Sequence, residues 1–90
     1  MIGKNAWSKG VVSVMAETEG YILIVTTIGA EHEVAERLKR IRGIDEVRII
    51  YGSWDLIVKV KVNDFREIGA LISKIRSIPE IEYTETLICT

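Results

Sequence analysis

Residues 51–62 read Tyr51-Gly52-Ser53-Trp54-Asp55-Leu56-Ile57-Val58-Lys59-Val60-Lys61-Val62. Gly52-Ser53 is a two-residue hairpin signal, with glycine at the first turn position as a type II′ turn requires. From Trp54 the residues alternate. Trp54, Leu56, Val58, Val60 and Val62 point one way along a strand, and Asp55, Ile57, Lys59 and Lys61 point the other. The second set is mixed, so its side of the strand is partly wet. Ahead of the turn, residues 46–51 form the partner strand, with Val47, Ile49 and Tyr51 on one side. A central antiparallel hairpin organises the chain.

Working outward, residues 21–28 (YILIVTTI) are β-branched and apolar on both alternating sides, which predicts a central strand buried on both faces. Residues 31–42 have helical spacing, with Val34, Leu38 and Ile41 on one face, a Glu33–Arg37 pair across one turn, and Gly43 as the stop. On the other side of the hairpin, Asp64 and Glu67 form a capping-box-like start. The helix they open runs to about residue 77, with Phe65, Ile68, Leu71, Ile72 and Ile75 as its apolar stripe, and Pro79 prevents its continuation. Residues 81–89 form the last strand. Ile81, Tyr83, Leu87 and Cys89 are expected on one side, and Thr84, Thr86 and Ile88 on the other.

The order is βαββαβ. Two right-handed crossovers joined by a hairpin give a ferredoxin-like α+β sandwich, a four-stranded antiparallel sheet with both helices on one face. The expected division is an N-terminal arm, 1–20, and a domain over 21–90. The arm is either disordered or adds a short strand through Val11, Val12, Val14 and Met15, and residues 17–20 break the pattern. Two helices cover one sheet face. The other still carries apolar side chains, from the first strand and from Ile57 or Ile88, so face-to-face dimerisation is expected.

Composition narrows the function. Ninety residues make one domain, with 48% hydrophobic and 28% charged residues. The net charge is -1 and the signs are interleaved, without the basic footprint of a duplex-binding domain. Neither a membrane-spanning apolar run nor a secretory signal is legible, and a lone cysteine fits the cytosol. Fifteen isoleucines and no glutamine suggest a thermophilic source.

Catalytic chemistry finds little support. His32, the only histidine, sits between Glu31 and Glu33 and reads as a solvated helix residue before a metal ligand or a base. His32 and Cys89 lie too far apart in sequence to make a metal site by spacing. Cys89 reads as a small core or interface residue. Asp64 is explained by helix capping. Asp55 is less ordinary, because aspartate is disfavoured among apolar strand residues; edge protection and a binding role compete for it. Trp54 is most simply a core or interface aromatic, and Thr84 and Thr86 ordinary strand residues. Neither a phosphate loop nor a nucleophile elbow is present, and no aromatic pair stands on basic central strands for stacking RNA bases. No catalytic residue, metal site or cofactor is predicted.

Several segments together carry a resemblance. YILIVTT, EVAERLKRI, Gly43-Ile44-Asp45-Glu46-Val47, YGSWDLIVKV, KIRSIPEI and TETLI, in this order and spacing, resemble the effector-binding module of the Lrp/AsnC (feast/famine) transcriptional regulators. YGSWD looks like that family's glycine-x-aromatic-aspartate hairpin. Such regulators carry a helix-turn-helix domain ahead of the module, and about twenty residues are too few for one, so a stand-alone module without direct DNA binding is expected. The resemblance implies sheet-face dimers, their assembly into octamer-type rings, and amino-acid binding between dimers near the hairpin. It also implies indirect control of transcription, by assembly with itself or with full-length regulators. Carried over, Asp55 would accept from an effector's ammonium, backbone N–H groups of Gly52 and Ser53 would meet its carboxylate, Tyr51 and Trp54 would border its side chain, and Thr84 and Thr86 would offer hydroxyls. An ACT-type regulatory subunit of an amino-acid biosynthetic enzyme shares the element order, but its site centres on the loop after the first strand. An acylphosphatase-like hydrolase needs an arginine in that loop, and Thr27-Ile28-Gly29-Ala30 has none. A small dimeric α/β monooxygenase is the remaining enzyme alternative.

Overall fold

The computed structural model describes residues 17–90. The proposed arm strand at Val11–Met15 lies outside them. Six elements follow in the expected order: β1 (Thr18–Thr26), α1 (Glu31–Leu38), β2 (Ile44–Ile49), β3 (Leu56–Val62), α2 (Glu67–Arg76) and β4 (Ile81–Ile88). They build one four-stranded antiparallel sheet of order β2-β3-β1-β4. This is the ferredoxin-like arrangement.

Strand β3 keeps its alternation: Leu56, Val58 and Val60 are fully buried and Val62 nearly so, while Ile57, Lys59 and Lys61 face away. The direct partners of the buried set share its side of the sheet. Ile22, Ile24 and Thr26 on β1 and Ile44, Val47 and Ile49 on β2 therefore line the same side, as do Thr84, Thr86 and Ile88 on β4. Against this side pack Val34, Ala35 and Leu38 of α1, Ile68, Leu71 and Ile75 of α2, and Ile78 beyond it.

Several boundaries differ from the sequence reading. The first strand starts at Thr18, through residues expected to break it. Gly20 is a close-approach position: a Cβ there would stand 2.7 Å from the Leu87 carbonyl oxygen. Only one face of β1 is fully buried; Tyr21, Leu23 and Val25 are half-buried on the other. Helix α1 ends at Leu38, not at 42. The chain then tightens into three-residue turns, with Arg40 N–H to Arg37 O at 3.2 Å and Ile41 N–H to Leu38 O at 3.0 Å. Ile41 still packs against the core. Gly43 stops this segment with φ of 101°, a left-handed conformation that favours glycine. Arg37 pairs with Glu80 at 3.2 Å, joining α1 to the approach to β4, and not with Glu33.

Helix α2 begins at Glu67, so Phe65 precedes it and is exposed. Asp64 accepts from the Arg66 backbone N–H at 2.9 Å and from the Arg66 guanidinium at 2.6 Å. The expected capping box thus becomes a turn clasped one residue earlier. The Arg66 side chain, then its backbone N–H, holds the Asp64 carboxyl below the usual carboxylate range. A bulge between Val25 and Thr26 shifts the β1–β4 register and brings Ile81 opposite Thr26. Ile81 consequently packs on the core side, away from Tyr83, and Ile88 packs there too.

The side of the sheet without helices carries Tyr21, Leu23 and Val25 from β1, Ile57 from β3, and Tyr83 and Leu87 from β4. Tyr83 and Leu87 are 60% and 46% exposed, so this apolar face is open in the single chain.

Two outcomes follow from the packing. Leu56→Ala should lower unfolding stability by about 3 kcal/mol in denaturant titration, the cost of a cavity in a fully enclosed site. Asp64→Asn should lower the melting temperature at pH 7. Because the folded carboxyl titrates below its ordinary value, its contribution is complete above that value and lost as pH falls through the folded one. The gap between wild type and variant should therefore narrow below about pH 4.

Candidate functional site

The loop between β2 and β3 spans residues 50–55, longer than the two-residue turn expected. Its base is closed by Ile50 N–H to Asp55 O at 2.9 Å, and Asp55 N–H in turn reaches Ile24 O at 2.9 Å. The Asp55 carboxylate accepts a third bond through Oδ2, from the backbone N–H of Thr26, at 2.9 Å. Thr26 sits at the β1 bulge, where its N–H leaves the ladder, and it is 96% enclosed (4% exposed). One aspartate thus closes the loop at Ile50, ties it to β1 at Ile24 and Thr26, and satisfies a buried donor that the sheet does not. Oδ1 of the same carboxylate has no hydrogen-bond partner among the described residues.

The loop tip is open. Tyr51 is fully exposed, Gly52 and Ser53 are exposed, and a Cβ on Gly52 would meet nothing within 4 Å. Gly52 has φ of 136°, so the tip conformation depends on glycine. The N–H groups of Gly52 and Ser53 make no hydrogen bond within the described residues.

Trp54 does not join Leu56 on the core face. Its ring stacks on Tyr83, with centroids 5.6 Å apart and planes 18° from parallel. Tyr83 pairs with Val25, so the stack lies at the β1 end of the open face. Sequence alternation missed this contact because it is made across two strands. Fully exposed Ile28, in the loop after β1, stands at the same end of the sheet.

Tyr51, Gly52, Ser53, Trp54 and Asp55 therefore share one end of the sheet. Thr84 and Thr86 stand apart from that group within one chain. They pair with Ile24 and Ile22 and lie half-buried on the helix side of β4. Thr26, Tyr83 and Ile28 are the residues of this corner that sequence reasoning did not select. The only advance signal was the apolar character of Ile28 and Tyr83.

His32 is exposed on α1 and Cys89 is exposed past β4. Among the described residues no group of three or more His, Cys, Asp and Glu side chains could hold a metal ion. No helix among them is long and apolar enough to cross a membrane.

Comparison with known proteins bears on this arrangement. Residues 19–90 match the Lrp/AsnC ligand binding domain. An HTH-type transcriptional regulator of Pyrococcus horikoshii is 41% identical over 59 residues, 64% of this chain and 39% of that protein. The chain thus spans less than half the length of this regulator. The crystal structure of FFRP-DM1 superposes with a TM-score of 0.78 at 39% identity, over 81% of this chain and 99% of that one. Homocitrate synthase of Sulfurisphaera tokodaii is 32% identical over 78 residues, 87% of this chain but 15% of the enzyme. The Pyrococcus relatives agree with the thermophilic character read from composition. With residues 19–90 matching the family and the fold superposing on FFRP-DM1, this chain belongs to the Lrp/AsnC ligand-binding domain family.

Proposed function

We propose that this domain is an amino-acid-responsive regulatory module. Its effector binds at the loop end of the sheet, between dimers that pair through their open sheet faces. The observation that carries this reading is Asp55. One carboxylate oxygen is spent on Thr26 and the other has no partner among the described residues, and the same loop carries the unbonded N–H groups of Gly52 and Ser53. A free amino acid presents an ammonium and a carboxylate about 3 Å apart, and this corner offers a partner for each. Tyr51 and the Trp54–Tyr83 stack provide apolar surface for a side chain. Thr84 and Thr86 would reach an effector only if a neighbouring dimer brings them to it.

The open face supports dimerisation by a separate argument. Six apolar side chains, Tyr21, Leu23, Val25, Ile57, Tyr83 and Leu87, share it. Burying them is favourable by roughly 25 cal/mol per Å². Ligand-dependent assembly of dimers into octamer-type rings, or with full-length regulators, would then turn effector concentration into a change in transcription, without DNA contacts from this domain.

A second reading has its own support: similarity to 15% of a homocitrate synthase favours a regulatory module serving an amino-acid biosynthetic enzyme. The corner would bind the same class of ligand in either setting.

Titration calorimetry with the twenty amino acids is the direct test, and at least one should bind. Asp55→Asn keeps an oxygen acceptor for the Thr26 N–H while removing the charge. It should leave the melting temperature nearly unchanged and weaken binding about tenfold or more, with Lys39→Ala as the neutral control. A folded, oligomeric protein that binds none of the twenty would refute the reading. Light scattering should give a mass of 20 kDa or a multiple of it, twice the 10.1 kDa chain.

A further inference from the structure

A second hollow lies at the other end of the sheet from the loop corner. Strand β3 carries the chain from Asp55 to Asn63, roughly 25 Å away. There the Gly43 turn, the end of β3 and one flank of α2 enclose a cavity of about 220 Å³, open to solvent on one side. Its floor is apolar: Val62 and Leu71 are buried core residues, and Ala70 lines it with them. The Gly43 backbone lies directly against this floor, where a Cβ would stand 3.3 Å from both Leu71 and Val62.

The rim is positive. Arg42, in the turn after α1, and Lys74, in the last turn of α2, both line the cavity. Arg37, Lys39, Arg48, Lys59 and Arg66 each have a carboxylate partner. Arg42 and Lys74 are exposed, and neither side chain makes an ion pair or hydrogen bond among the described residues. The backbone N–H groups of Arg42 and Gly43 are also unbonded among them. Consecutive unbonded N–H groups in a turn that ends on a left-handed glycine form a concavity suited to an anion. Glu67 is the one carboxylate on the lining. It stands on the first turn of α2, about 10 Å along the helix from Lys74, too far to neutralise it.

We propose that this hollow binds a small organic acid, its carboxylate held by Arg42, Lys74 and the N–H groups of the Gly43 turn, and its hydrocarbon body laid on Val62, Ala70 and Leu71. The lining selects this class. A bare inorganic anion leaves the apolar floor wet, which forgoes the burial the floor offers. The volume lies below the roughly 300 Å³ at which sites for drug-sized molecules begin, so the occupant is a small metabolite.

Charge also sets this site apart from the loop corner. A free amino acid would bring its ammonium up to Arg42 and Lys74, where like charges repel. At the corner the ammonium has Asp55. The hollow therefore favours an acid of the same carbon skeleton that lacks the amino group. This inference stands on the hollow alone and does not depend on what the corner binds.

Nitrogen–proton correlation NMR on the whole chain, titrated with 4-methylpentanoate, reads the two sites separately. The amides of Gly43, Asn63 and Leu71 should move together and saturate below about 20 mM, with those of residues 52–55 unmoved. Leucine adds an ammonium to the same skeleton, 4-methylpentanamide removes the charge, and inorganic phosphate removes the body. Each should move the Gly43 amide with an affinity about fivefold lower or worse. The double variant Arg42→Ala/Lys74→Ala should weaken 4-methylpentanoate about tenfold or more at an unchanged melting temperature, and Lys39→Ala should change neither. No saturable movement at Gly43, Asn63 and Leu71, or a double variant that binds as tightly as wild type, would overturn the proposal. Phosphate binding as tightly as the acid would overturn it too, since the apolar floor would then contribute nothing. Movement confined to residues 52–55 would count against this hollow while leaving the corner standing.

Discussion

Two helices cover one side of a four-stranded sheet, and most else here follows from that shortage of cover. The helix side closes into a core in which Ile22, Ile24, Leu56, Val58 and Val60 lose essentially all contact with water. The opposite side has the same strands and no lid. A domain of this size has little stability to spare. Leaving Leu23, Val25 and Ile57 half-wet forgoes burial that a second copy would recover. The charges on that side, Arg48, Lys59, Lys61, Glu19 and Glu85, interrupt its apolar surface.

The loop corner depends on the same sheet through Asp55. A bulge in β1 releases the Thr26 N–H from the ladder, and the Asp55 carboxylate takes it. The backbone of Asp55 bonds Ile24 on β1 and Ile50 just past β2. The residue is therefore both a closing element of the fold and the one charged residue within the 50–55 loop. Its bland reading, a charge guarding a strand edge, is set aside by this geometry: Asp55 is bonded to Ile24 and Thr26 of the central strand β1 and to Ile50 of its own loop.

What the sequence disclosed was mostly local and periodic. Alternation over β3, the helical stripe of Ile68, Leu71 and Ile75, the glycine stop at Gly43 and the element order were all legible because each depends on near neighbours. Long-range contacts were not. Gly20 reads locally as a break, yet the nearby Leu87 carbonyl makes glycine the residue that lets β1 continue. Gly52-Ser53 reads as a tight turn, yet bonds from Asp55 to Ile24 and Thr26 pull the end of β3 away and widen the loop. Alternation sets Trp54 on the side of Leu56, yet it stacks on Tyr83 from the far edge of the sheet. Of the corner, the residue types and the hairpin were readable, while Thr26 and Tyr83 entered only through pairing across strands.

Because the Asp55 carboxylate anchors the loop from its base, the tip is mechanically spare. Tyr51 and Ser53 brace nothing in the core, so drift at these positions alters what the loop displays without loosening the sheet behind it. Position 55 has less latitude, since a side chain without an oxygen acceptor there would leave the buried Thr26 N–H unpaired. A lineage of such domains could therefore diversify what it recognises by exchanging residues around a constant aspartate, with the cost of each exchange falling on recognition and not on folding.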